Sequence, residues 1–290
     1  MLDQSSVTGK AAAERFYVRR TFLKLMGLMP MVAAGAGGAN STEPAKPLVK
    51  PRHVLCFLGG EHGLAGLADA ASAAIDKFAT GFSIDHTYSL DEAYPQMSRS
   101  FEVCWDRVQA NAWNSADEEA VANHKSVLYV LGPPMTADTS VTISTAALFL
   151  VDSLMTAGAV AVKGESAGVA HGLARWRQLA HLGGAALKSD DHVALSRVCR
   201  LAFAKRPLES EKYIESVGFH LVGLPEVYLA KIDENEMDAV TVMDAVADEL
   251  TERKLEAVLR DRKASLSFAS AYKTDDFKFN PYGIVYIEQR

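Results

Sequence analysis

Gly164-Glu165-Ser166-Ala167-Gly168 is the stretch of this 290-residue chain whose spacing points most directly at a reaction. A serine flanked by glycines in a G-x-S-x-G pattern suits a sharp strand-to-helix turn. Such a turn lifts the hydroxyl clear of a sheet and aims backbone N–H groups at a developing oxyanion. The spacing predicts a strand over 159–162 and a helix after Gly168, which is the context the pattern needs. A hydrolase also requires an acid and then a histidine downstream. Those would be Asp190 or Asp191 as the orienting acid and His220 as the base, with Ser166 as nucleophile. Three features weigh against that triad. His192 follows its aspartates at once, and His220 sits in the alternating run Phe219-His220-Leu221-Val222, where a strand histidine is the plainer expectation. The doubly wound hydrolase sheet needs crossovers where this chain shows two strands close together. The oxyanion loop of such enzymes has only a loose substitute, Gly59-Gly60-Glu61-His62-Gly63.

Other chemistry is less specific. Gly59-Gly60 between a strand and a helix could form an anion-binding nest, but no Walker or G-x-G-x-x-G spacing accompanies it. His171 and His181 are ten residues apart, whereas a shared metal on one helix wants three or four. Glu61-His62, His124 and the pair His220 and Glu226 could meet in space, which sequence does not show, and no metal or cofactor is expected. The acidic run Asp233, Glu234, Glu236 and Asp238 opens a helix, where negative charge complements the dipole. Cys56, Cys104 and Cys199 fall in expected strands and read as buried thiols, a Cys104–Cys199 bridge being possible.

The elements that must position these groups alternate in kind. Strands are expected at 53–58, 82–86, 101–105, 126–131 and 159–162, with amphipathic helices at 64–78 and 144–156. The order β-α-β-β-α-β is that of a ferredoxin-like lobe, any helix near 106–123 being an insertion. A helix from Gly168 to about Leu182 follows, then the glycine pair 183–184 and a polar turn at 189–191. Strands at 198–204 and 218–229, a long helix over 237–259, and strands near 265–271 and 284–288 complete a second lobe. The fold class is therefore α+β, as lobes 53–183 and 184–290 or as one continuous mixed sheet.

The first forty residues read as an address. Polar residues lead into Val18-Arg19-Arg20-Thr21-Phe22-Leu23-Lys24, then an apolar Gly/Ala-rich run, then small residues that place cleavage after Ala36 or Ala39. That order describes a signal peptide at 1–39, followed by a Pro-rich tether at 40–52. The apolar run is too short for a span, which needs about 20 apolar residues, and no later span is expected. Residues 1–39 carry five Lys/Arg and two Asp/Glu, leaving 25 and 34, a formal charge of −9, to the rest. So acidic a chain, 49% hydrophobic overall, suits neither a nucleic-acid binder nor a disordered protein.

Three resemblances accompany these patterns. The heptad around Arg19, Arg20, Phe22, Leu23 and Lys24 resembles the twin-arginine translocation motif, with Val18 the departure, and implies a translocase partner and export in a folded state. Gly-Glu-Ser-Ala-Gly resembles the elbow of carboxylesterases. Separately, His124–Val130, Gly158–Val162 running on to Ser166-Ala167-Gly168 and His171, and Gly218–Val227 together resemble a bacterial domain family of unknown function, numbered 4261, over about residues 53–288. That resemblance implies a structural turn at Ser166 and supplies no reaction. The expectation is an exported periplasmic or secreted protein, a binding or interaction module for a protein or small molecule. A small-ester serine hydrolase is the alternative.

Overall fold

In a computed structural model of the chain, the structure describes residues 50–231, 236–268 and 280–288. Arg19, Arg20, Phe22, Leu23 and Lys24, most of the tether, and Asp233 and Glu234 lie outside the described residues. The first part runs β1 (Val54–Gly59), α1 (Gly63–Lys77), β2 (Ser83–Ile84), α2 (Met97–Glu102), α3 (Ser115–Ala122), β3 (Ser126–Leu131), α4 (Ala137–Thr156), β4 (Ala159–Gly164) and β5 (Val169–His171). Then come α5 (Leu173–Lys188), α6 (His192–Phe203), β6 (Lys205–Glu209), β7 (Tyr213–Val217), a 3-10 turn (Phe219–Val222), β8 (Glu226–Ala230), α7 (Glu236–Glu252), α8 (Leu255–Arg262), β9 (Ser265–Ser267) and β10 (Ile284–Ile287).

The fold is α+β and has two sheets, not one continuous sheet. In the first, β1 lies between β3 and β4, antiparallel to both, with β2 outside β3 and β5 outside β4. The ferredoxin-like strand order is therefore present, with β5 added at one edge and residues 85–125 inserted between β2 and β3. In the second sheet the order is β6-β7-β8-β10-β9, antiparallel except for the β8–β10 pair. Its apolar face, Ile214, Val227, Leu229, Val285 and Ile287, shares a buried cluster with Ala239, Met243, Val246 and Ala247 of α7. Among the described residues only α4 is long and apolar enough to cross a bilayer, and half of its apolar stretch is buried within the fold.

Three expected strands are otherwise. Residues 101–105 close α2 and enter a turn, with Phe101 and Cys104 buried at a helical spacing of three. Residues 198–203 belong to α6, which ends before the extended Ala204, and there Leu195, Val198, Cys199, Ala202 and Phe203 make a buried stripe of helical period. The run 218–229 breaks at Gly218 and Gly223, both at positive φ (109° and 79°), into the 3-10 turn and β8. The long helix stops at Glu252 and restarts at Leu255, and the glycine pair 183–184 lies inside α5. Cys199 thus sits on a helix and Cys104 in a turn; all three cysteines are free and buried.

A buried carboxylate organises the 3-10 turn. Glu226 accepts from Ser216 Oγ at 2.7 Å, Gly218 N at 3.0 Å, Phe219 N at 3.3 Å, His220 Nδ1 at 3.1 Å and Asn280 Nδ2 at 3.0 Å. Burial alone would raise its pKa, but the His220, Ser216 and Asn280 bonds outweigh that and hold it below the ordinary value. The turn in turn reaches the first sheet. Ser144 of α4 donates to Leu221 O at 2.6 Å, so its single proton is used and it must accept from His53 Nε2–H at 2.7 Å. His53, just before β1, also meets the Phe203 ring edge-on at 4.5 Å.

Acid should loosen this joint. Burial, with the His220 charge nearby, depresses His53 to about 3. The unfolded chain takes that proton near pH 6.5 and the folded chain does not. Stability should therefore fall as pH drops from about 6.5, with the Glu226 contribution lost below its ordinary carboxylate value of about 4.3. The urea midpoint measures this. His53→Gln, which keeps an N–H for Ser144, should remove most of the decline between about pH 6.5 and 4.5. Glu226→Gln should cost about 3–5 kcal/mol at pH 7.

Candidate functional site

The G-x-S-x-G segment is a β-hairpin, not an elbow. Residues 165–168 join β4 to the antiparallel β5, with Val162 opposite His171 and Gly164 opposite Val169. Gly168 N donates to Glu165 O at 3.2 Å, and Gly168 takes φ 66°, the left-handed value that a glycine accepts without strain. The expected helix begins only at Leu173, after three residues of strand. Sequence alone misses β5 because a three-residue strand carries too few positions to show a period.

Ser166 is bound at both ends of its hydroxyl. It donates to Arg52 O at 2.8 Å and accepts from Val54 N at 2.9 Å, while Glu165 N donates to Val54 O at 2.8 Å. The hairpin turn thereby extends the β4 pairing over the start of β1. Beside it, Ala167 fits against Gly218, where an added Cβ would stand 2.7 Å from the Ala167 Cβ and 2.9 Å from Phe203 O. The remaining triad candidates lie elsewhere. His220 is held by Glu226; Asp191 caps α6 by accepting from Ala194 N at 2.9 Å; Asp190 pairs with His192 at 3.6 Å, both well exposed. Among the described residues, Ser166 makes no hydrogen bond to a histidine.

Polar chemistry concentrates instead on the face of the first sheet turned away from α1. Strand register puts Tyr129 of β3, Cys56 of β1 and Lys163 of β4 in one row across three neighbouring strands. In an open ferredoxin-like sheet this row would face water, but α2 and the loop after it cover it. Lys163 is fully buried; its Nζ lies 2.8 Å from Glu165 Oε1 and donates to Ser100 Oγ of α2, over the Phe101 ring at 5.0 Å. Tyr129 Oη donates to the same Glu165 oxygen at 3.4 Å. Burial alone would lower the Lys163 pKa, but the Glu165 carboxylate reverses this and holds the ammonium above its usual range. Burial pushes the Cys56 thiol up to about 12, away from the nucleophilic thiolate. Burial also raises Tyr129.

Beyond Lys163 the insertion docks on β5. Trp105 bridges Ala170 in parallel, and His171 Nδ1 stands 3.3 Å from Asp106 Oδ2 while Nε2 donates to Ala202 O at 3.1 Å. Burial would raise Asp106, but the His171 bond and the Val108 amide hold it below the ordinary value. His181 lies on α5, ten residues on, and does not share this contact. Among the described residues no group of three or more His, Cys, Asp and Glu could hold a metal ion. His124 is committed to the insertion, donating from Nδ1 to Val121 O at 2.6 Å and accepting from Tyr94 N at 2.8 Å.

No family model, curated protein or solved structure matches the chain.

Two substitutions test the roles drawn here. Ser166→Ala strands the Arg52 carbonyl and the Val54 amide, and should cost about 1–3 kcal/mol in chemical denaturation. Lys163→Met should cost about 3–5 kcal/mol by leaving Glu165 unpaired in a dry site. The double change Lys163→Met with Glu165→Leu should recover much of that loss, measured as a coupling energy.

Proposed function

We propose that the mature chain is an exported binding or interaction module, without catalysis at Ser166. One observation carries the non-catalytic part. Both bonds of the Ser166 hydroxyl go to backbone groups at the entry to β1, and a nucleophilic serine needs a base at its proton. The polar groups under α2 support the same reading: Lys163 is committed to Glu165 and Ser100, and the Cys56 thiol is held protonated. The exported part rests on the Arg19-Arg20 heptad, with a periplasmic or secreted destination reached through the twin-arginine translocase. At a formal −9 beyond residue 39, the chain suits a small molecule or a protein partner better than nucleic acid.

Fluorophosphonate labelling tests the reading. Wild type and Ser166→Ala should both stay unlabelled while folded; labelling of wild type alone would overturn the non-catalytic reading in favour of a hydrolase with Ser166 as nucleophile. Export is tested by Arg19→Lys with Arg20→Lys, which should retain the precursor in the cytoplasm. Unchanged secretion of the doubly substituted chain would remove the twin-arginine assignment.

A further inference from the structure

Each ring nitrogen of His171 faces an oxygen. Nε2 lies 3.1 Å from Ala202 O of α6, and Nδ1 lies 3.3 Å from Asp106 Oδ2. Beyond that carboxylate, Nδ1 has no hydrogen-bond partner among the described residues. A neutral imidazole carries a single N–H, so either tautomer turns a lone pair on one of these two oxygens. The imidazolium, with two N–H groups, suits both. Asp106 does not supply the missing proton. Burial would raise its carboxyl, but His171 and then Val108 N outweigh that and keep it below the ordinary value. The ring has little room to turn away, because the side chain is fully buried and Trp176 meets it edge-on at 4.7 Å.

The pair sits where the insertion is fastened. Asp106 N donates to Ala170 O at 2.9 Å, Ala170 N to Cys104 O at 2.7 Å, and Gly172 N to Ala112 O at 2.6 Å. Residues 104–112 are thereby tied to β5 and the turn after it, and Lys205 of β6 adds a bond to Val103 O. Other charges face the pair from two elements. Arg206 of β6 and Arg175 of α5 both stand within electrostatic reach of Asp106, Arg206 being itself paired with Asp244 at 2.7 Å. From α6 comes the Ala202 carbonyl, and from α5 also the Trp176 ring. Both guanidiniums keep Asp106 ionised and repel an imidazolium, so the 3.3 Å contact is what retains the proton.

We propose that His171 and Asp106 form a proton-dependent latch that holds the 85–125 insertion closed over the first sheet. Closing takes up a proton on His171. Losing it turns a lone pair on the carboxylate and frees residues 104–112, loosening the cover over Lys163. Out of the latch, His171 is a solvated histidine, half-protonated at about pH 6.5. Above that pH each opening releases one proton, so the open fraction should grow by up to about tenfold per pH unit. The latch thus loosens toward alkali, in the opposite sense to the His53 joint.

Amide hydrogen exchange of the full chain between about pH 6 and 8.5 tests this. Protection of the Asp106, Ala170 and Gly172 amides, corrected for the intrinsic rate, should fall about tenfold or more across that range. Amides of β1 and β3 should keep theirs, which separates local opening from general unfolding. Asp106→Asn is the chemical control. Its Oδ1 can still accept from Val108 N, as the Asp106 Oδ1 does at 3.0 Å, while its amide N–H faces Nδ1 as a donor to the neutral ring. In that variant the protection of residues 106, 170 and 172 should no longer fall with pH. A flat wild-type profile, an equal fall at β1 and β3, or the wild-type slope in Asp106→Asn would each overturn the latch. Should the variant fail to fold, the wild-type profile decides alone.

Discussion

The Glu226 carboxylate is the constraint on which the rest of this molecule depends. Taking a charge out of water is expensive unless donors replace the solvent. Here the donors come from β7, the 3-10 turn and Asn280, so satisfying the charge fixes the shape of all three at once. The fixed turn offers Leu221 O to Ser144, which places His53 and the start of β1. A polar path thus runs from the second sheet into the central strand of the first, and apolar packing closes around it. The same path explains why acid acts on the joint: every proton it resists in the folded state is one the unfolded chain accepts.

Elements with a long period were legible in the sequence. Helices 64–78 and 144–156 and strands 53–58, 126–131 and 159–162 are present near their expected positions, α4 starting a full turn and more earlier at Ala137. Where the pattern misled, a short window admitted two periods. Val198, Cys199, Ala202 and Phe203 look like an apolar strand until Leu195 is counted, and then the stripe is helical. The run 218–229 alternates well enough for a strand, yet two glycines at positive φ turn it inside out. The candidate site was less legible still. Ser166 was visible as a motif, but its role is set by Arg52 and Val54, more than a hundred residues away. Lys163 gave no signal at all, because a lysine in a strand reads as solvent-facing unless the covering insertion is known.

That insertion changes what the first sheet can do. A ferredoxin-like lobe has one face for its two helices and one left over. Residues 85–125 occupy the second face with Ser100, Phe101 and Trp105, converting an exposed row into an interior one. Interior polar rows need internal partners, and Lys163 with Glu165 supplies them at the cost of mobility. The hairpin that carries Glu165 also carries Ser166, so one five-residue segment both neutralises the buried lysine and seals the end of β1. A motif with the letters of a nucleophile elbow is occupied by architecture.

The strand edges carry a different consequence. On the first sheet the outer strands are β2, two residues long, and β5, three; on the second they are β9, three, and β6, which Pro207 interrupts. Short or proline-broken borders offer little unpaired backbone for another chain to extend. Among the described residues, neighbouring copies would find only short ledges on which to add a strand, so these edges should disfavour growth into fibres.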